Sequence, residues 1–177
     1  MIGITFNFFI MKRINLFLIC LMALAIVSCS NLEEKMRKKA VAEIGSKVHN
    51  PDDVKIIGFS TRDSAFDVNY YSKKEIASIM KVMDKITETI MARTENLTRF
   101  NPEDSYVIDL AERQMKAMAE LQGKTLQSEQ KGNWNGWKIR VDYQAKNKEG
   151  KNIKAERWFF FDKKGENIID TFEIPLP

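Results

Sequence analysis

The residues that could do chemistry in this sequence are few and scattered. The only histidine, His49, stands beside Asn50-Pro51 at the predicted end of a helix. A histidine at that place commonly bonds the last carbonyls of the helix, so it does not indicate a catalytic base. The acidic pairs Asp52-Asp53 and Glu103-Asp104 also stand at helix boundaries, where turns and caps explain them. A carboxylate or lysine centre stays open as an alternative, but no residue is assigned a catalytic role.

Metal and phosphate sites are equally poorly supplied. Zinc sites combine several cysteines and histidines, whereas this sequence has two cysteines and one histidine. The eight glycines fall singly at predicted turns and loops, so no glycine-rich phosphate loop is present. We therefore predict neither a metal site nor a cofactor.

One candidate binding surface lies near the C-terminal third of the chain. Basic residues gather on a predicted hairpin with two tryptophans beside it, and the members of this surface are Lys138, Arg140, Lys154, Trp134 and Trp137. An acidic glycan or a protein could dock there. The alternative, which we favour, is a solvated sheet face whose lysines discourage edge pairing.

The charge balance argues against a nucleic-acid partner. The chain carries 28 lysines and arginines and 24 acidic residues, a formal net charge of +4. Lys12 and Arg13 precede Cys29 and no acid does, so the later residues carry 26 basic and 24 acidic groups, a net +2. Nucleic-acid binders usually show a larger basic excess, because phosphate contacts supply most of their affinity.

The N-terminal region has the pattern of a secretory signal. Lys12 and Arg13 follow Met11 directly, and residues 14–27 form an almost unbroken apolar run. A run of this length is short for a membrane-spanning helix, and the small residue at its end indicates cleavage. We predict that Met11 is the true start and that residues 1–28 are removed.

The end of this signal, Ile26-Val27-Ser28-Cys29, resembles the bacterial lipobox. The resemblance implies that Cys29 is lipidated and becomes the first residue of a single mature domain, residues 29–177. It also implies an outer-membrane lipoprotein of the cell envelope that faces the periplasm or the cell surface. The acyl chains alone would hold the domain on the bilayer, because each buried methylene contributes about 0.8 kcal/mol. The alternative is an ordinary signal peptide or anchor with a chance cysteine.

Two short stretches resemble patterns of Bacteroides-type bacteria. Residues 30–34 resemble the Ser-then-acidic tract that directs lipoproteins to the cell surface, although an acidic first helical turn explains them equally well. Asp63-Ser64-Ala65 matches the three-residue sequon of the general O-glycosylation system. Ser64, in a predicted turn, is therefore a possible O-glycosylation site, with an unmodified turn serine as the alternative.

Hydrophobic periodicity predicts three helices. The first spans Leu32 to Val48, and the second opens at Ser72 with Glu75 three residues on, a capping-box pattern. A third helix opens at Asn101-Pro102 and carries apolar residues as far as Leu121, so that the second and third helices form a hairpin. The residues from Gly123 to Gly136 are predicted to be a polar loop.

Period-two alternation predicts five strands. Two short strands are predicted at Val54–Ser60 and Phe66–Tyr70, joined by a turn. Residues 137–145, 153–161 and 167–174 form a three-stranded meander joined by two polar turns. The aromatic run 158–161 predicts that the middle strand of the meander is covered on both faces, by a partner or by the chain's own helices.

The order helix, strand, strand, helix, helix, strand, strand, strand contains no alternating strand-helix units and so argues against a parallel nucleotide-binding sheet. We predict an α+β fold in which three amphipathic helices pack on one face of a curved antiparallel sheet that ends in the meander. This plan resembles the cystatin-like and NTF2-like folds of small Bacteroides-type lipoproteins.

The function that fits these observations is a non-enzymatic cell-envelope lipoprotein. It would bind a ligand or protein partner between helices and sheet, or along the basic hairpin. One alternative is a periplasmic interaction module resembling the PepSY type of inhibitor domain, which the terminal meander suggests. The other is a carboxylate-based hydrolase, which requires a buried, convergent group of ionisable residues in a cleft.

Overall fold

The structure is a computed structural model that describes residues 31–99, 101–127, 131–148 and 150–177. The chain divides into two units, Met1–Lys35 and Met36–Pro177. Of the first unit only residues 31–35, which are helical, are described. The predicted signal segment with its start at Met11, the predicted lipidation site Cys29 and Ser30 all lie outside the described residues. No described helix combines the length and apolar character needed to cross a membrane.

Three α-helices are described: α1 at residues 31–47, α2 at Lys73–Arg93 and α3 at Ser105–Gln127, with a short 3-10 helix at Pro51–Asp53. The predicted cap of α2 is confirmed. The Ser72 hydroxyl accepts the Glu75 N–H at 3.3 Å, and the Glu75 carboxylate accepts the Ser72 N–H at 2.7 Å. Two orphan donors of the first turn are thereby satisfied.

Five strands form one open antiparallel sheet: β1 Lys55–Phe59, β2 Asp63–Ala65, β3 Gly136–Lys146, β4 Asn152–Asp162 and β5 Ile168–Leu176. Their spatial order is β1-β3-β4-β5, and β2 pairs with β3 beyond the end of β1. The α+β class and the meander β3-β4-β5 are confirmed. The strand β3 is internal to the sheet rather than an edge.

The second strand was predicted in the wrong place. The alternating segment Phe66–Tyr70 contains turns and bends, and β2 instead occupies part of the predicted turn. Ala65 pairs with Gly136, the first residue of β3, so the partner strand offers no position beyond it. Ser64 therefore lies half-buried in a strand rather than in a turn.

The third helix lies later in the chain than predicted, because α3 begins at Ser105 rather than at Asn101-Pro102 and continues to Gln127, taking in the start of the segment 123–136 that was expected to be a loop. Tertiary contacts hold this last turn. Leu121 is buried, and the Lys124 ammonium bonds the Asp170 carboxylate of β5. A polar sequence thus stays helical where the sheet supplies partners for it.

Both faces of the sheet are covered by other parts of the chain. The hairpin face, which carries the even-numbered residues of β3 and β4, packs against α2 and α3. Tyr71 lies at the centre of its core, with its ring centroid 5.7 to 6.0 Å from the rings of Trp158, Phe160 and Phe172. These edge-to-face contacts fill the space between the sheet and the helix hairpin.

The opposite face carries the odd-numbered residues of β3 and β4, and its central side chains, Ile139, Val141, Tyr143, Phe159 and Phe161, are all buried. Met36, Ala40 and Ile44 of α1 are fully buried too. Burial works to lower the pKa of the Arg157 guanidinium on this face, but the carboxylates of Glu173 and of Glu43 in α1 raise it overall. These observations indicate that α1 covers this second face, which we call the α1 face. The expectation that all three helices lie on one face is therefore wrong.

Candidate functional site

The five residues of the candidate binding surface do not gather into one patch. Lys138 and Arg140 of β3 and Lys154 of β4 lie on the hairpin face. Trp137 pairs with Phe161 on the α1 face, and Trp134 lies in the loop before β3. The sequence placed these residues near one another along the chain, whereas the pleat of β3 sends them to opposite sides of the sheet.

Lys138 is a buried charge rather than a solvated surface lysine. It is 3% exposed, and its ammonium lies 2.5 Å from the Glu75 carboxylate at the start of α2. Burial alone would raise the pKa of Glu75, but its bonds with Lys138 and Ser72 outweigh burial and lower it. The interpretation of these lysines as protection of a sheet edge is therefore wrong for Lys138, because β3 is an internal strand.

A second charged group lies beside this pair on the hairpin face. Asp142 and Glu156 stand directly opposite each other on β3 and β4, and Arg140 lies 3.6 Å from the first and 3.5 Å from the second. The Trp158 indole N–H donates to Glu156 at 2.8 Å. Burial raises the pKa of Glu156, with the Asp142 charge adding to it and with Arg140 and Trp158 opposing it.

A polar pocket of about 250 Å³ adjoins these groups and is lined by Ser60, Arg62, Glu75, Lys138, Arg140 and Trp158, among others. The carboxylate that reaches it from α2, Glu75, is committed to Lys138 and to the helix cap. Glu156, whose raised pKa would suit a proton donor, is 4% exposed and bonded to Trp158 and Arg140. The Lys138–Glu75 pair joins strand to helix, and Asp63, which also lines the pocket, accepts the Ser64 N–H at 2.7 Å.

On the α1 face, Glu173 of β5 is the centre of another network. It pairs with Arg157, accepts the Tyr143 hydroxyl at 2.8 Å and lies 3.2 Å from the Arg113 guanidinium of α3. Burial would raise the pKa of Glu173, but the two arginines outweigh it and lower the pKa. The network attaches α3 to the sheet edge formed by β5.

A cavity of about 600 Å³ lies where the first half of α3 meets the β3–β4 hairpin, and we call it the hairpin cavity. Its apolar lining includes Leu110 of α3, Ile153 of β4 and Leu176 of β5. Charged residues on its wall are Lys55, Arg113, Lys146, Lys154, Asp53 and Asp109. Small-molecule pockets in proteins have volumes of about 300 to 1,000 Å³ and combine apolar walls with a few polar groups, so this cavity is of a suitable size and character.

Of the five residues of the predicted binding surface, only Lys154 lines this cavity. The other lining residues come from the 3-10 helix, β1, α3, β3, β4 and the C-terminal end of the chain from β5 onward, and they span 124 positions from Asp53 to Pro177. No local pattern could have joined them. They meet because the antiparallel sheet brings β1, β3 and β4 together at one end.

A shallow groove of about 610 Å³ runs between α2 and α3 on the outer side of the helix hairpin. Met115 is 66% exposed there and Met80 is also exposed, whereas Met83 is buried in the core. The methionines of the two helices therefore divide between the core, which holds Met83, and the groove, which holds Met80 and Met115.

His49 is exposed, and its backbone N–H donates to the Lys146 carbonyl at 2.9 Å. Asp104 receives the N–H groups of Tyr106 and Val107 at the start of α3, as a capping residue does. Among the described residues, no group of three or more His, Cys, Asp or Glu side chains could hold a metal ion.

Comparisons with protein-family models, with curated proteins and with solved structures give no match to this chain.

Proposed function

We propose that this chain is a non-enzymatic, lipid-anchored protein of the bacterial cell envelope that binds a ligand in the hairpin cavity. The observation that carries the binding part is the cavity itself, with its volume of about 600 Å³ between a long helix and the meander. Its apolar floor favours a ligand with an apolar body, and its charged rim favours a polar end group.

The anchor in this proposal rests on the lipobox-like sequence that ends at Cys29. The absence of catalysis is proposed because the buried carboxylate Glu156 and the half-buried carboxylates Glu75 and Glu173 are each bonded to cationic or capping partners. The fold resemblance to cystatin-like and NTF2-like proteins, with a curved sheet, and the PepSY-like alternative stay predictions.

The binding proposal is tested with the amphipathic fluorescent probe 1-anilinonaphthalene-8-sulfonate. We expect saturable binding to the folded wild-type protein, and we expect Gln144→Trp to reduce it strongly, since Gln144 lines the hairpin cavity and an indole would fill it. Gln122→Trp is the matched control, because Gln122 lines the α2–α3 groove. Loss of binding in the Gln122 variant alone would move the site to the groove, and equal binding in all three proteins would contradict a defined cavity site.

A further inference from the structure

One end of the sheet carries three aromatic rings that reach the surface, those of Trp134, Trp137 and Phe66, and we call it the tryptophan end. Trp134 is 38% exposed and its ring lies 5.4 Å from that of Trp137, at an angle of 71°. Phe66, in the loop after β2, is half-buried. Soluble surfaces do not require such rings, and tryptophan in particular suits an environment that is apolar on one side and wet on the other.

Cations lie over each of these three rings. The Arg62 guanidinium is 4.1 Å from the Trp137 ring centroid, and the Lys131 ammonium is 3.7 Å from that of Phe66. The Lys163 ammonium lies 5.4 Å from the Trp134 centroid. The tryptophan end therefore presents aromatic rings and basic groups side by side, the composition found where proteins meet the headgroups of a bilayer.

The course of α1 places the entry of the chain toward the same end. Near the start of the unit that begins at Met36, the Arg37 guanidinium lies over the Phe59 ring at 5.0 Å, beside Ser60. Ser60 bonds Arg140 of β3, whereas His49, just beyond the C-terminal end of α1, bonds Lys146 at the far end of β3. The N-terminal end of α1 therefore lies near Arg140, and α1 runs from there toward Lys146. Going back from Arg140 in the opposite direction along β3, Trp137 is three residues away, about 10 Å at about 3.3 Å per residue.

The length of the tether limits where a lipid on Cys29 could hold the domain. Six residues lie between Cys29 and Met36 in the sequence, so seven Cα–Cα steps join them. A fully extended chain of that length spans at most about 25 Å. A lipid anchor there keeps Met36 within that distance of the bilayer surface, and the nearer tryptophan end reaches the headgroups with less of the tether extended than the far end of the sheet does.

We infer that the tryptophan end is a membrane-contact surface that rests on phospholipid headgroups and points the hairpin cavity away from the bilayer. This inference rests on the lipid anchor of the proposed function. The cavity lies at the opposite end of β3, whose 11 residues span about 35 Å. Asp63 and Glu166 also lie near the tryptophan end, so the contact depends on the aromatic rings more than on net charge.

The test uses the processed, lipidated protein in vesicles of phosphatidylethanolamine with a minority of phosphatidylglycerol, prepared with and without brominated acyl chains. Brominated lipid quenches tryptophans that contact the bilayer. We expect quenching of the wild-type emission, loss of most of it in Trp134→Phe, and no loss in Trp158→Phe, because Trp158 is buried in the core. A smaller reduction is expected for Lys131→Gln/Lys163→Gln than for Trp134→Phe, and none for Lys148→Gln/Lys151→Gln at the other end of the sheet.

Co-sedimentation with the vesicles separates this inference from the anchor. If the wild-type protein sediments with vesicles but shows no quenching, the contact surface is wrong and the anchor stands. If the wild-type protein stays in the supernatant as Cys29→Ala is expected to do, the anchor is wrong and this inference falls with it. Equal quenching in wild type and Trp134→Phe also overturns the assignment of the surface.

Discussion

At the scale of single residues, Lys138 shows how a polar position in an alternating strand can be buried. The alternation of β3 predicts a solvated side chain, but α2 begins directly over it and places Glu75 2.5 Å from its ammonium. A buried cation requires such a partner, because removal from water is costly. The strand pattern was therefore correct, while the burial of this side chain depended on a helix more than 60 residues away in the sequence.

Gly136 is the residue where a single added methyl group should be most damaging. A Cβ there would lie 1.9 Å from the Phe161 carbonyl oxygen, a backbone atom that cannot rotate away. We expect Gly136→Ala to lower the free energy of unfolding by about 1 to 3 kcal/mol or more, in line with overpacking at rigid sites. Gly123→Ala in α3 meets nothing within 4 Å and should be neutral or stabilising. Urea unfolding of both variants provides the comparison, and similar values for the two would contradict it.

Glu156 and Glu75 should affect the pH dependence of stability in opposite directions. Burial raises the pKa of Glu156 in the folded state, so its contribution is present below the unfolded-state pKa of about 4.3 and is lost as pH rises through the folded value. The pKa of Glu75 is lowered, so its contribution is present above that pH and is lost as pH falls.

As pH rises from acid toward neutral, the stability of wild type relative to Glu156→Gln should therefore decrease, while its stability relative to Glu75→Gln should increase. Unfolding of the three proteins across a pH series measures both differences. Parallel curves for wild type and Glu156→Gln would show that Glu156 keeps its ordinary pKa when folded.

At the scale of elements, the accuracy of prediction followed the range of the interactions involved. The helix α2 and the meander were predicted well, since their caps, turns and periodicities lie within each segment. The prediction placed β2 too late in the chain, because the position of this strand is set by its pairing with the first three residues of β3 and not by alternation within its own sequence. The last turn of α3 was missed because its support comes from Asp170 of β5.

The cap of α2 provides a test at this scale. We expect Ser72→Ala to destabilise the protein by about 1 kcal/mol, because the Glu75 N–H loses its acceptor and the box loses one of its two bonds. Thr89→Ala is the control, since Thr89 is exposed in α2 and its hydroxyl bonds only the Lys85 carbonyl of its own helix. Thermal unfolding compares the two, and a larger loss for Thr89→Ala would argue against the role of the cap.

At the scale of the whole molecule, the two ends of the sheet should differ in accessibility once the protein is on a membrane. By the predicted processing, Cys20 is removed and Cys29 is acylated, so an introduced cysteine would be the only free thiol. We expect Lys151→Cys, in the β3–β4 turn, to react quickly with a large polyethylene glycol maleimide, and Lys164→Cys, in the β4–β5 turn, to react slowly. In detergent the two rates should converge, because both side chains are exposed on the protein itself. Equal rates in vesicles would contradict the proposed orientation.

Local signals in the sequence were enough to predict the capped helix α2, the hairpin formed by the two long helices and the three-stranded meander. The sequence also supplied the lipobox-like segment that ends at Cys29, which lies outside the described residues. The packed fold was needed to show which polar side chains are buried, which face each tryptophan occupies and where a cavity forms. The physical reason is that burial and cavity shape arise from surfaces contributed by distant segments, and Lys55, Leu110 and Lys154 meet at one cavity only after the sheet and helices have packed.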